Sequence, residues 1–319
     1  MSILESVRAA CREVARQARY VRFHEESLPA YLAALPLGEA AAPAYDLRHH
    51  FRGEPAATVA YVLTLDAVNF GSGYFPHLQK RPSMSGYFTV ASRLKDAFEA
   101  AGPIPAAGLR ALTPPDTARL FGQDLEDPVR RELMERFTVA LADLGDFLLR
   151  SWGGSFTALV TAAEGSAETL VEILAEMPWF CDVSSYRGQE VPLMKRAQIT
   201  ASDLSLALDG QGYGWFRDLD RLTIFADNAV PHVLHTDGLL RYDEGLAARI
   251  EAGENIPAGS EEEVEIRAVA LYAVERMAET LRWDGRALGA RELDILLWNR
   301  GQGARYKSRK RHRTRTVFY

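Results

Sequence analysis

The chain has 319 residues and sets 37 Lys and Arg against 43 Asp and Glu, a formal net charge of −6. Hydrophobic residues make up 47% and charged residues 25%, which argues against a disordered, collagen-like or membrane-embedded protein. The acidic balance also disfavours a dedicated duplex-binding protein, because phosphate contacts need cations.

Two cysteines, Cys11 and Cys181, stand far apart and provide neither a disulfide framework nor a CxxC pair. Met1-Ser2-Ile3-Leu4-Glu5, followed by Arg8, Arg12, Arg16 and Arg19, holds no apolar stretch of the signal-peptide kind. No apolar run approaches the roughly 20 residues of a transmembrane helix. The expectation is a soluble cytoplasmic protein, monomeric and with no membrane partner.

In chain order, Ser2 and Glu5 make a capping-box pattern ahead of Leu4, Val7, Ala10 and Val14, which recur at helical spacing. Pro55 opens Ala56 to Val68, apolar nearly all round, a buried helix ending at Asn69; β-branched Val59, Val62 and Thr64 keep a strand reading open. Behind Asp127-Pro128, residues Val129, Leu133, Phe137, Leu141, Leu144 and Leu148 fall on one helical face. Shorter helices are expected over 166–177, 192–208, 229–235, 244–251 and 291–298, with turns at 153–154, 210–214 and 253–259. After Ser260, three glutamates suit a helix N-terminus, and Val264, Ala268, Leu271, Val274 and Ala278 form its inward stripe, as a surface helix with an acidic first turn would have. There is no repeat, low-complexity tract or long linker. The fold expected is all-α, with few or no short strands, in one compact unit spanning 1–319, either undivided or as two lobes near 1–150 and 151–319 with the site between them.

Several motifs are absent: GxxxxGK[ST], HExxH and GxSxG. Gly210-Gln211-Gly212-Tyr213-Gly214 follows a helical pattern instead of a strand, and the scattered histidines show no zinc spacing, so neither a cofactor nor a metal is expected. Three segments stand out. In Leu65 to His77 a hydrophobic helix ends in a Gly-loosened aromatic loop flanked by an acid and an amide, which taken alone reads first as a helix cap with core aromatics and second as a surface for stacking on a planar ring. Tyr186 to Ile199 leads through a Gly-containing turn into a helix where Lys195 and Gln198 share a face, which is also the look of a solvated helix start. In Leu222 to His232 an apolar run delivers Asp227 at a chain reversal, where it either caps the next helix or acts as a carboxylate in a low-dielectric setting.

Together the Asp66 to Phe70 segment, Lys195-Arg196-Ala197-Gln198 with Asp203, Phe225-Ala226-Asp227 with Val230-Pro231, Glu261 to Ala268, Asp294 with Leu297-Trp298, and His312-Arg313-Thr314-Arg315 with Tyr319 resemble the queuosine salvage proteins, also described as queuosine 5′-phosphate N-glycosylases. These segments run in order over most of the chain and are specific only jointly. The resemblance implies an all-helical fold related to the helix-hairpin-helix DNA glycosylases. It also implies hydrolysis of the N-glycosidic bond of queuosine 5′-monophosphate, releasing queuine, a 7-deazaguanine derivative salvaged for tRNA modification. The chain departs from the family pattern at Ala229, where a basic residue is expected, and at His232, where Gln is expected.

Cleaving a ribosyl C–N bond builds oxocarbenium character, which calls for a carboxylate beneath the sugar and a positioned water. Asp227 is the candidate for both tasks. Asp66, Asn69, Asp203 and Asp294 are candidates for the polar edge of the base, and Phe70, Tyr74 or Trp298 for its face. Lys195, with Gln198 on the same helix face, and His232, His312 and Arg313 are candidates for the 5′-phosphate and its surroundings. The basic run Lys307 to Arg315 ends in Thr316-Val317-Phe318-Tyr319, so the tail is expected to be docked. The rival readings are a noncatalytic RNA-interaction module and a glycosylase acting on bases flipped from a polymer; the latter calls for a long basic groove that the scattered cations do not supply.

Overall fold

A computed structural model describes residues 1–40 and 44–319. The helices are α1 (Ile3–Gln17), α2 (Leu28–Ala34), α3 (Leu37–Ala40), α4 (Pro55–Ala67), α5 (Gly86–Ala101), α6 (Ala106–Ala111), α7 (Pro114–Phe121) and α8 (Pro128–Ser151). They continue as α9 (Phe156–Thr161), α10 (Ala167–Ala175), α11 (Lys195–Ala207), α12 (Ala229–Thr236), α13 (Glu244–Ala252), α14 (Glu261–Trp283), α15 (Ala290–Arg300) and α16 (Ala304–Lys307). The strands are β1 (Val21–Phe23), β2 (Val183–Tyr186), β3 (Gln189–Pro192) and β4 (Leu240–Tyr242), so the fold is mostly helical with two small sheets. Among the described residues no helix is long and apolar enough to cross a membrane.

The chain forms two compact units that alternate in sequence. The first gathers residues 1–43, 182–195 and 220–315; the second gathers 44–181, 196–219 and 316–319.

At the heart of the first unit lies α14. Ser260 accepts from the Glu263 amide and caps it, as the sequence suggests. The expected stripe is buried, but so are Ile266, Val269, Ala270, Ala273 and Met277, which corrects the surface-helix reading. Charged Glu263, Glu265 and Arg267 are buried with them. A helix this enclosed needs specific partners for its charges, and Glu265 has them: its carboxylate accepts the amides of Arg19, Tyr20 and Val21 and the Tyr186 hydroxyl. Helix α1 packs against α14 through buried Leu4, Val7, Cys11 and Val14, with the Ser2–Glu5 capping box formed. β1 pairs antiparallel with β4, matching Val21 to Tyr242 and Phe23 to Leu240.

The segment expected to be helical from residue 192 is β3 to Pro192, and α11 begins only at Lys195. Arg187 and Gly188, both with positive φ (49° and 80°), form the two-residue turn of the antiparallel β2–β3 hairpin. Positive φ at both central residues marks a type I′ turn, which matches strand twist and makes this a β-hairpin.

In the second unit, α8 is the long axis, capped by Asp127 through the Val129 and Arg130 amides. Its expected face, Leu133, Phe137, Leu141, Leu144 and Leu148, is buried. A Cβ at Gly145 would lie 2.5 Å from the Ala106 carbonyl oxygen, so glycine lets α6 and α8 meet closely. α4 resolves the open strand reading as a helix, with every residue from Thr58 to Ala67 buried, and it ends two residues before the expected Asn69.

The tail is docked as expected. From Arg311 to Thr316 burial alternates, with His312, Thr314 and Thr316 inward and Arg311, Arg313 and Arg315 more exposed, the period of an extended chain. Ile256 donates to the Arg313 carbonyl in the first unit, and Gly71 donates to the Tyr319 carbonyl in the second.

Candidate active site

In the first unit, the loop between Leu222 and Asn228 carries no regular structure of its own beyond Asp227, so its shape is set by side chains that reach it. The Phe225 amide donates to Asp294 Oδ1 of α15 at 2.9 Å, and the Ala226 carbonyl accepts from Arg267 Nε at 2.8 Å. Asp227 follows at once. Its Oδ1 accepts the Ala229 amide at 2.6 Å, so it does hold the entry to α12; Oδ2 makes no hydrogen bond among the described residues, and the side chain is half-buried. Capping and chemistry are therefore compatible, since each uses a different oxygen.

Asp294 is buried, and its pKa is pushed up to about 8, first by burial and then by the negative charge of Asp227. The Phe225 amide, Lys195 and Arg291 pull against that rise without cancelling it. The sequence candidates Asp227, Asp294 and Lys195 thus share one electrostatic neighbourhood. It pairs a neutral acid with a carboxylate, the division of labour found where acid and base act together.

Arg311 is a functional candidate that sequence reasoning missed. Burial lowers its pKa and the Asp227 charge partly restores it, which places this guanidinium near Asp227. The alternating pattern of the tail was the available signal, because it groups Arg311 with Arg313 on the side opposite His312.

His232 and His312 are not ready cations. His232 shares a hydrogen bond with the Tyr306 carbonyl, and burial lowers its pKa to about 4. His312 is buried and lowered to about 3 by burial and by Arg267, His232 and Arg311. Both line a cavity of about 270 Å³ together with His235, Thr236, Arg309 and Lys310. At neutral pH both are therefore neutral imidazoles. Arg313 is used for docking, with its backbone bridged to Asn255 and its guanidinium beside Gly253. Trp298 is half-buried on α15.

The remaining candidates lie in the second unit. Asn69 donates to Asp66 Oδ1 at 3.1 Å, beyond the end of α4. Arg196, the residue after Lys195, donates to the Asp66 and Ala67 carbonyls and to that of Trp179. Phe70 packs edge-on against Phe137, with the Arg196 guanidinium 4.9 Å from its ring centre, and Tyr74 is fully buried with its hydroxyl donating to Glu132. Both rings are buried among core residues. Gln198 is buried on α11 and Asp203 is half-buried on the same helix. Burial, with the charges of Asp66 and Asp203, holds the Tyr45 and Tyr87 phenols above their usual range. These two carboxylates therefore have neutral phenols for neighbours.

A helical fold with a neutral acid, a neighbouring carboxylate and nearby cations has the equipment of a carboxylate-based hydrolase. Similarity narrows the class. The profile of the queuosine salvage protein family matches residues 49–319, and the chain belongs to that family. It is 39% identical over 313 residues to a queuosine 5′-phosphate N-glycosylase/hydrolase of Sphaerobacter thermophilus, covering 97% of this chain and 96% of the relative. Relatives of the same name from Dictyostelium discoideum (35% over 265 residues, 82% and 78% covered) and Bos taurus (30% over 286 residues, 84% and 83% covered) agree.

Proposed function

We propose that this protein hydrolyses the N-glycosidic bond of queuosine 5′-phosphate, adding water to give queuine and ribose 5-phosphate. The observation that carries the reading is the Asp227–Asp294 pair within a chain whose relatives bear that name. Asp227 offers its negative charge, through Oδ2, to the oxocarbenium character at the sugar and to the attacking water. Asp294 keeps its proton at neutral pH and supplies a hydrogen bond or proton to the departing base. Lys195 and Arg311 are assigned to the phosphate, a point charge and a fork respectively.

Asp66, Asn69 and Asp203 are proposed to read the polar edge of the base and Trp298 its face, with Gln198 kept as a candidate for the surroundings of the phosphate. Kinship with the helix-hairpin-helix glycosylases is part of this proposal, supported by Lys195 at a helix start with Asp227 downstream, although the hairpin before that helix is of β type. A substrate comparison tests the reading. Queuine should leave the free nucleotide rapidly and leave queuosine-containing tRNA slowly or not at all; release from tRNA alone would overturn it in favour of a polymer-directed glycosylase.

A further inference from the structure

We propose that Arg267 is the positioning residue of this site, holding in one register the two chain segments that deliver Asp227 and Lys195. The proposal rests on the hydrolase reading above and assigns a role to a residue that touches no substrate.

The geometry is that of a fork with every prong assigned. Arg267 Nε donates to the carbonyl of Ala226, the residue just before Asp227, at 2.8 Å. Nη1 and Nη2 donate to Asp182 Oδ1 and Oδ2, a two-pronged ion pair in which both side chains are 1% exposed, and Nη1 also lies 3.5 Å from Oε1 of buried Glu263. Asp182 in turn holds the entry to α11. Its Oδ2 accepts the Lys195 amide at 3.2 Å, and its carbonyl accepts the amides of Leu193 and Met194. Met194, with φ of 51°, sits in a backbone region that a non-glycine residue adopts only when its surroundings impose it. One planar guanidinium thus links the turn before Asp227 to the turn before Lys195.

Stability alone is a poor reason for this arrangement, because burying an ion pair costs desolvation that an apolar pair of similar size avoids. Fixed geometry is a better reason, since a shift of about 1 Å in a reacting group costs up to about a hundredfold in rate. Lysine cannot reproduce it, having one nitrogen where three donors at set angles are used.

Two variants test the proposal with queuosine 5′-phosphate as substrate. Arg267→Lys keeps the charge and should lower kcat by about tenfold or more while KM stays within about threefold. The paired replacement Asp182→Leu with Arg267→Met removes the two-pronged ion pair. Made in a Glu263→Gln background, so that no buried carboxylate is left without its cation, it should melt cooperatively near the wild-type temperature, yet lose about a hundredfold in kcat. Wild-type kcat in the folded paired variant would overturn the proposal; should that variant fail to fold, unchanged kcat in Arg267→Lys would do so. Hydrogen exchange of amides 193–196 and 225–229 on the same proteins separates the two claims. Faster exchange in both segments, with no queuine released even by wild type, would refute the hydrolase reading and leave the positioning role standing, whereas unchanged exchange in both variants would refute the positioning role.

Discussion

Arg196 and Arg267, the two largest fully buried side chains of the molecule, do the same job by different means, one in each unit. Each donates to backbone carbonyls at the point where a segment delivers candidate site residues: Ala226 before Asp227, and Asp66 with Ala67 at the end of α4. Arg267 is balanced by the carboxylate of Asp182, whereas Arg196 lies over the rings of Phe70 and Phe180 at 4.9 and 4.7 Å. An ion pair fixes direction as well as distance, while a cation over ring faces tolerates sliding. On the reading proposed above, the ion pair steadies the segment that bears Asp227, and the ring-held arginine steadies the segment that bears Asp66 and Asn69.

The largest effect should come from the chemistry itself. Asp227→Asn is expected to lose about a hundredfold or more in kcat, with an unchanged melting temperature and retained nucleotide binding measured by calorimetry. Near-wild-type turnover would move the chemistry to another acid. Asp294→Asn should cost about tenfold and remove a specific feature of the pH profile. Because the Asp294 proton is present below about pH 8 and lost above it, wild-type activity should decline as pH rises through about 8. That limb should vanish in the variant. A limb that persists would show that Asp294 is not the titrating acid.

Arg196→Lys breaks the comparison most cleanly. If the second unit reads the base, KM should rise by roughly threefold to tenfold with a smaller change in kcat. A fall in kcat like that expected of Arg267→Lys would erase the proposed division of labour. The smallest effect is on stability. His232 and His312 stay neutral in the folded state down to about pH 4 and about pH 3, while unfolded histidine takes up a proton near 6.5. The unfolded chain therefore binds more protons in that window, so stability is lost as pH falls from about 6.5 toward 4. Melting scans across this range should show the loss, and His232→Gln should reduce its slope.

Legibility followed period and punctuation. α8 and α1 were readable because their caps and apolar spacing agree, and α14 was located correctly, though not its burial. The acidic first turn reads as solvated, yet Glu263 is buried against the nearby Gly259 amide and Arg267, and Glu265 further on is buried because the distant amides of Arg19, Tyr20 and Val21 meet it, information that local sequence does not contain. Four-residue strands such as β2 and β3 are too short for an alternation signal, and Pro192 was read as a helix opener when it closes a strand. Of the candidate site, Asp227 is legible as an acid at a chain reversal, and Asp294 through the family resemblance. The Asp182–Arg267 pair is not, since its role arises from contacts between remote segments, and Arg311 shows only through the alternation of the tail.

The most direct measurement is product analysis after incubating the purified protein with queuosine 5′-phosphate, wild type beside Asp227→Asn. The account predicts equal amounts of queuine and ribose 5-phosphate from the wild type, and release slowed by about a hundredfold or more in the variant. No queuine from the wild type, or equal rates from both proteins, would contradict it.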